Sequence, residues 1–176
     1  FFDPDDFVEF DYYESIITAM KLYNTDIGCG GRVLIDEFVP IPQLNREDNC
    51  SVHHGPSFFL WQHVFKTHII IDNKISFINT AHFEDGIFVI ECYGYSKIDL
   101  VSYENKSFYI YIKRKGSLSH LDPKSNFARI TSAYSIIKSH LSELKTKNLR
   151  GIAIHTIEDY LKATEEKILE LQGEGN

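Results

Sequence analysis

The stretch KISFINTAHFEDGIFVIECYGY, Lys74–Tyr95, decides the predicted fold. Residues 74–81 and 87–95 are both rich in β-branched and aromatic side chains, a composition that favours strands. The sequence EDG at 84–86 separates them and has the composition of a tight turn. This pattern predicts a β-hairpin, and it guides the interpretation of the segments on either side.

Four more strand-like segments surround this hairpin, at 32–39, 58–71, 97–103 and 107–115. Short turn sequences, such as Asp72-Asn73-Lys74, separate several of them. Closely spaced strands with tight turns are typical of antiparallel sheets and not of βαβ units. We therefore expect an antiparallel β-meander of about five strands.

Helical patterns occur towards the two ends of the chain. Residues 11–23 place apolar side chains on one face, and Asp11 with Glu14 three residues later has the spacing of a capping box. Two amphipathic segments follow the predicted strands, beginning at Asp122 and at Thr156. These positions predict one helix before the sheet and two helices after it.

The order of elements predicts an α+β fold class. An antiparallel meander would be packed by the N-terminal helix and the two C-terminal helices. No stretch of the sequence has the composition of a linker, so a single globular α+β domain over 1–176 is expected.

The composition is that of a packed domain. Of the 176 residues, 43% are hydrophobic and 14% aromatic, which excludes a wholly disordered chain and allows a sizeable core. No apolar run approaches the ~18 residues of a membrane-spanning helix, so no membrane partner is expected. Three widely spaced cysteines do not resemble a disulfide framework. Reduced thiols and a cytoplasmic location are the resulting expectation.

Charge is distributed unevenly along the sequence. Residues 1–104 carry a balance of −11, residues 105–150 a balance of +8, and the remainder a balance of −4. The simplest interpretation is a mixed surface on which these charges offset one another. Alternatively, the folded chain presents an acidic face, which would attract a basic partner, or a basic face, which would hold phosphate groups.

The acidic, aromatic-rich composition and the absence of catalytic motifs favour a non-catalytic protein-binding module. The kind we expect is an inhibitor or immunity-type protein that neutralises a basic protein partner, such as a nuclease toxin. Whether the chain has any enzymatic activity stays open at this point. The residues predicted to meet the partner are Asp3, Asp5, Asp6, Glu9, Asp11 and Glu14.

A first alternative is nucleic-acid or phosphate-ligand binding through the basic segment 105–150. One predicted strand combines aromatic residues with the bases that follow them, a mixture that binders of single-stranded nucleic acid use for phosphate contact and stacking. A basic exposed strand also protects a sheet edge against aggregation, which is the plainer explanation. The residues concerned are Tyr109, Tyr111, Lys113, Arg114 and Lys115.

A second alternative is a cysteine-dependent hydrolase or transferase that uses Cys29. This cysteine stands in the sequence GCGG, residues 28–31, where backbone N–H groups could stabilise an oxyanion. It follows a predicted helix and precedes a strand, so no helix N-terminus is positioned to lower the pKa of the thiol. An inert thiol in a glycine-rich connection is therefore the preferred interpretation.

Neither a metal nor a cofactor is expected. Cys50 and His53 have the spacing of a zinc pair, but a structural zinc site needs four ligands. The predicted strand would turn His63 and His68 to opposite faces. P-loop, GxGxxG, GxSxG and HExxH motifs are absent from the sequence.

One acidic segment has the residue types of an acid–base site. His82, Glu84, Asp85 and Glu91 lie within ten residues of one another, and carboxylates beside a histidine can transfer protons. The glycine that follows Asp85 makes a plain turn the preferred explanation.

Overall fold

The computed structural model describes residues 1–3, 6–36, 50–53, 58–96, 101–102, 107–114 and 123–173. The chain divides into two compact units. The first is Phe1–Lys66 with Lys97–His120, and the second is Thr67–Ser96 with Leu121–Asn176. The single domain over 1–176 stays a prediction.

The described part of the first unit contains one helix, α1 (Tyr12–Tyr23), and seven short strands. The strands are β1 (Phe7–Val8), β2 (Ile27–Cys29), β3 (Gly31–Asp36), β4 (Cys50–His53), β5 (His63–Phe65), β6 (Val101–Ser102) and β7 (Phe108–Lys113). They form a sheet of order β1-β7-β3-β4 and a sheet of order β5-β2-β6. The β3–β7 and β2–β6 pairs are parallel, whereas the other pairs are antiparallel.

Helix α1 packs its apolar face on an aromatic core. Tyr12, Ile16 and Met20 pack together with Trp61 and Tyr109. The helix approaches β2 so closely that a Cβ atom on Gly28 would lie 2.4 Å from Ile16 and 2.8 Å from Met20. The glycine in this strand therefore serves helix–strand packing.

The described part of the second unit is helical. Its helices are α2 (Thr67–Asp72), α3 (Glu84–Tyr95), α4 (Pro123–Leu144) and α5 (Gly151–Gly173). Helix α3 packs with α4 and α5 around a common core. The buried residues of that core are Ile87, Ile90, Ala133, Ile137, Leu141, Leu144, Ala153, Ile157 and Leu161. None of the described helices has the length and hydropathy needed to cross a membrane.

The predicted antiparallel meander is wrong, and α3 shows why. Residues 87–95 form part of a helix, in which Ile87, Val89, Ile90 and Cys92 are all buried. A helix that is buried on most sides carries a nearly continuous apolar run, and such a run cannot be distinguished from a buried strand by its periodicity.

The other half of the predicted hairpin also differs. Residues 74–81 form neither a strand nor a helix. The predicted strand 58–71 is divided into a 3-10 turn at Leu60–Gln62, the short strand β5 and helix α2. The chain is thus a mixed α+β protein with two small sheets, some of whose strands are parallel.

Patterns outside that region were predicted better. The helix over 11–23 corresponds to α1, and the two C-terminal helices correspond to α4 and α5, although α5 begins at Gly151 and not at the predicted Thr156. The segment 32–39 overlaps β3, and the segment 107–115 contains β7. Asp11 precedes α1 as predicted, but its side chain makes no capping hydrogen bond.

Candidate functional site

Asp6, in the acidic segment at the N-terminus, is hydrogen-bonded to strand β7. The carboxylate of Asp6 is 5% exposed and accepts two hydrogen bonds, from Tyr109 Oη at 2.9 Å and from the backbone N–H of Ile112 at 3.0 Å. The pairing of β1 with β7 ends at Phe7 and Ile110. Beyond that pair, the Asp6 side chain takes the place of a backbone carbonyl and accepts the N–H of Ile112. This carboxylate therefore continues the sheet ladder.

Tyr109 links Asp6 to Asp3. Its hydroxyl donates to Asp6 and accepts a hydrogen bond from the backbone N–H of Asp3 at 3.2 Å. Burial raises the pKa of Asp6, while the hydrogen bonds from Ile112 and Tyr109 act in the opposite direction. The backbone N–H of Asp6 also donates to the carbonyl of Asp3. Asp3 and Asp6 are thus linked to each other and to Tyr109 by hydrogen bonds.

The acidic residues predicted to meet a partner are placed in different surroundings. Asp3, Asp11 and Glu14 are exposed, whereas Asp6 is buried. Glu9 Oε2 accepts the backbone N–H of Phe108 at 2.7 Å, so this carboxylate also serves the sheet. Asp5 lies outside the described residues. The five described residues of this predicted surface therefore divide into two structural residues, Asp6 and Glu9, and three exposed ones.

The residues of the basic strand do not form an exposed stacking surface. Tyr109 is fully buried and stacks on Trp61 with 4.1 Å between ring centroids, so its ring cannot receive a base. Tyr111 stacks on the same Trp61 at 5.6 Å. Lys113 and Arg114 are half-buried, and Lys115 lies outside the described residues.

Cys29 is fully buried in β2. Its thiol is inaccessible to a substrate, which argues against the cysteine-dependent alternative. In the second unit, burial raises the pKa of Cys92 to about 12, so that thiol stays protonated at neutral pH. The side chains of Cys50 and His53 are not among those described, and the described residues contain no cluster of three or more metal-ligating side chains.

Sequence reasoning missed a polar cluster beside the aromatic core. Arg32 Nη1 donates to Gln62 Oε1 at 2.6 Å, and Gln62 Nε2 donates to the carbonyl of Gly30. The guanidinium carbon of Arg32 lies 4.7 Å from the centroid of the Phe59 ring. These contacts join residues 30 positions apart in the sequence, so no local motif could have predicted them.

The acidic segment of the second unit is a helix start and not a hairpin. Glu84 and Asp85 occupy the first turn of α3 and are half-buried. Phe83, which precedes them, has a φ of 64°, an uncommon value for an aromatic residue. Its ring stacks on Tyr160 at 3.7 Å, and a Cβ atom on Gly86 would lie 2.3 Å from that ring. Packing thus holds a strained turn directly before the two carboxylates.

His82 completes this acid–base segment. Burial lowers the pKa of His82, and the positive charges of Arg129 and Lys167 lower it further. The imidazole is therefore neutral at pH 7. Arg129 itself donates a hydrogen bond to the carbonyl of Ala81, which ties α4 to the chain just before the turn.

Removing the Asp6 carboxylate is expected to destabilise the first unit. Asp6→Ala would leave the N–H of Ile112 and the hydroxyl of Tyr109 without their acceptor, at a cost of about 2–4 kcal/mol. Asp6→Asn, which retains one acceptor oxygen, should cost less than half as much. Urea denaturation followed by Trp61 fluorescence measures both. Equal losses for the two variants would contradict the assigned hydrogen bonds.

Comparison with known proteins finds no matching family model. A Schizosaccharomyces pombe protein named "Putative dipeptidyl aminopeptidase C2E11.08" is 25% identical over 121 residues, which cover 62% of this chain and 14% of that protein. Among solved structures, S. aureus TarS 1-349 is similar with a TM-score of 0.57 and 15% identity, over 89% of this chain. The chain spans 43% of TarS 1-349.

TarS 1-349 is also known in complex with nucleotide ligands. The complex with UDP-GlcNAc matches with a TM-score of 0.48 and 17% identity, over 76% of this chain and 40% of TarS. The complex with UDP matches with a TM-score of 0.49 and 14% identity, over 78% and 39%.

These comparisons contradict the predicted non-catalytic inhibitor or immunity-type protein. The chain shares its fold with TarS 1-349, and the S. pombe relative carries the name of an enzyme. The toxin-neutralising interpretation is therefore wrong.

Proposed function

We propose that this protein uses a nucleotide-diphosphate sugar as the donor in glycosyl transfer. The observation that carries the proposal is the fold likeness to TarS, which extends over 89% of the chain. Because that likeness concerns the fold alone, the residues of this chain must supply independent support. The peptidase name of the S. pombe relative is not adopted, since the chain spans 14% of that protein and contains no GxSxG sequence.

The acidic residues Asp3 and Asp6 of the first unit are the first feature that supports donor binding. Asp6 is fixed by Tyr109 and Ile112, and Asp3 is exposed one turn away, so a carboxylate is presented on a rigid support. A rigid charged group binds a ligand with a smaller entropic cost than a mobile one. Because a carboxylate and an anionic diphosphate repel each other, this carboxylate would contact the donor through a bridging cation.

A magnesium ion would fit this segment if the phosphates of the donor supplied most of its coordinating oxygens. Protein sites for Mg²⁺ commonly use one or two carboxylates together with substrate phosphates. Asp3 is the described carboxylate that would hold the ion, because both oxygens of the buried Asp6 accept hydrogen bonds within the fold. When bound, it would offset the negative charge of the diphosphate.

Calorimetric titration with UDP-GlcNAc and with UDP tests the proposal. We expect both ligands to bind, more tightly with Mg²⁺ than with EDTA. Asp3→Asn should reduce the gain from Mg²⁺ by about tenfold, the effect of one charge-assisted contact. Glu14→Gln, which removes an exposed carboxylate from α1, is the matched control and should bind normally. Absence of binding of either ligand by the unaltered protein would reject the proposed donor class.

A further inference from the structure

Arg32 carries a half-buried positive charge without a counter-ion among the described residues. Its guanidinium forms no ion pair with any described carboxylate, and its Nε–H is buried without a hydrogen-bond acceptor there. Charges removed from water are normally paired, because their desolvation is otherwise uncompensated. The guanidinium nevertheless remains protonated, since arginine does not lose its proton in proteins.

The guanidinium is also held in place. Gln62, which is fully buried, accepts a hydrogen bond from Arg32 and in turn donates to the carbonyl of Gly30. The backbone carbonyl of Gln62 accepts the Tyr12 hydroxyl at 3.3 Å, and Phe59 covers one side of the guanidinium. A planar cation fixed by an amide and an aromatic ring is prepared for bidentate recognition of an anion.

Arg32 lies on the strand next to the residue that binds Asp6. Arg32 is the Cα partner of Tyr109 in the parallel β3–β7 pair, and Tyr109 is the residue that holds Asp6. Residues directly opposite on neighbouring strands point to the same face of a sheet. The uncompensated cation thus lies one strand from the tyrosine that supports the proposed donor site, within the same unit.

We propose that Arg32 binds a phosphate oxygen of the nucleotide-diphosphate donor, an inference that rests on the function proposed above. The ligand would provide the counter-charge that the described residues do not. Arg32 would then discriminate donors that contain a diphosphate from nucleosides that lack one. Burial lowers the pKa of Arg32, which is the effect of removing a cation from water.

Fluorescence titration tests this role. Trp61 is the only tryptophan of the chain, and it stacks on Phe59 with 5.2 Å between ring centroids, so its emission reports on ligands that bind near Arg32. Unaltered protein, Arg32→Gln and Arg32→Lys are titrated with UDP and with uridine. We expect Arg32→Gln to bind UDP about 10- to 100-fold more weakly, the loss of a charged hydrogen bond, and to bind uridine unchanged.

The controls separate this inference from the proposed function. Lys21→Gln removes an exposed positive charge from α1 in the same unit and should leave UDP binding unchanged. If Arg32→Gln does not fold, Arg32→Lys carries the test, because it retains the charge and loses the planar contact with Gln62. Normal UDP affinity in the Arg32 variants would overturn the inference alone. Failure of the unaltered protein to bind UDP would overturn the proposed function with it.

Discussion

Gly86→Ala is expected to lower the free energy of unfolding by about 1–3 kcal/mol, the usual cost of an extra methyl group in a well-packed site. A Cβ atom on Gly86 would lie 2.3 Å from the ring of Phe83, and that ring stacks on Tyr160. Because Phe83 already has a φ of 64°, its backbone has little freedom to move the ring away.

The measurement is urea denaturation followed by helical circular dichroism. Gly151→Ala, at the first residue of α5, is the matched control, because a Cβ atom there meets no described atom within 4 Å. That variant should be neutral or slightly stabilising, since alanine favours a helix more than glycine does. Equal stability of the two variants would show that the ring of Phe83 does not occupy the space beside Gly86.

The terminal helices were predictable because their patterns are local. In α1 and α4, apolar residues recur at helical spacing while the intervening residues are polar, so one face is distinguished from the other. Helix α3 has no such contrast. Its residues Phe88, Val89 and Ile90 are consecutive and all buried, which removes the period on which the distinction between helix and strand depends.

The candidate sites were predictable only in part, for a related reason. Asp3 and Asp6 were identified because acidic residues are frequent near the start of the sequence. Their different roles, one exposed and one buried, depend on hydrogen bonds to Tyr109, more than 100 residues away. Glu84 and Asp85 were identified by residue type. Their strained support at Phe83 depends on packing against Tyr160, which no local pattern contains. Arg32 gave no signal, since a lone arginine on a strand is ordinary in sequence.

Helix α3 also contains a residue whose environment could not be foreseen from the segment 82–91. Glu91 is 2% exposed, and its Oε1 lies 2.6 Å from Nε2 of His140 on α4. Nδ1 of His140 lies 3.8 Å from a carboxylate oxygen of Glu143. A buried carboxylate with an imidazole partner joins the two helices at the edge of the apolar core.

We expect His140→Ala to lower the free energy of unfolding by about 3–5 kcal/mol, because the substitution leaves the Glu91 carboxylate buried without its imidazole partner. Urea denaturation followed by helical circular dichroism measures the change. His155→Ala is the matched control, since His155 pairs with Glu158 at an exposed position and such pairs contribute little. The double variant Glu91→Leu with His140→Leu should recover much of the loss, because replacing both partners by apolar groups removes the uncompensated charge. If His140→Ala is no more harmful than His155→Ala, the Glu91–His140 contact does not stabilise the helical unit.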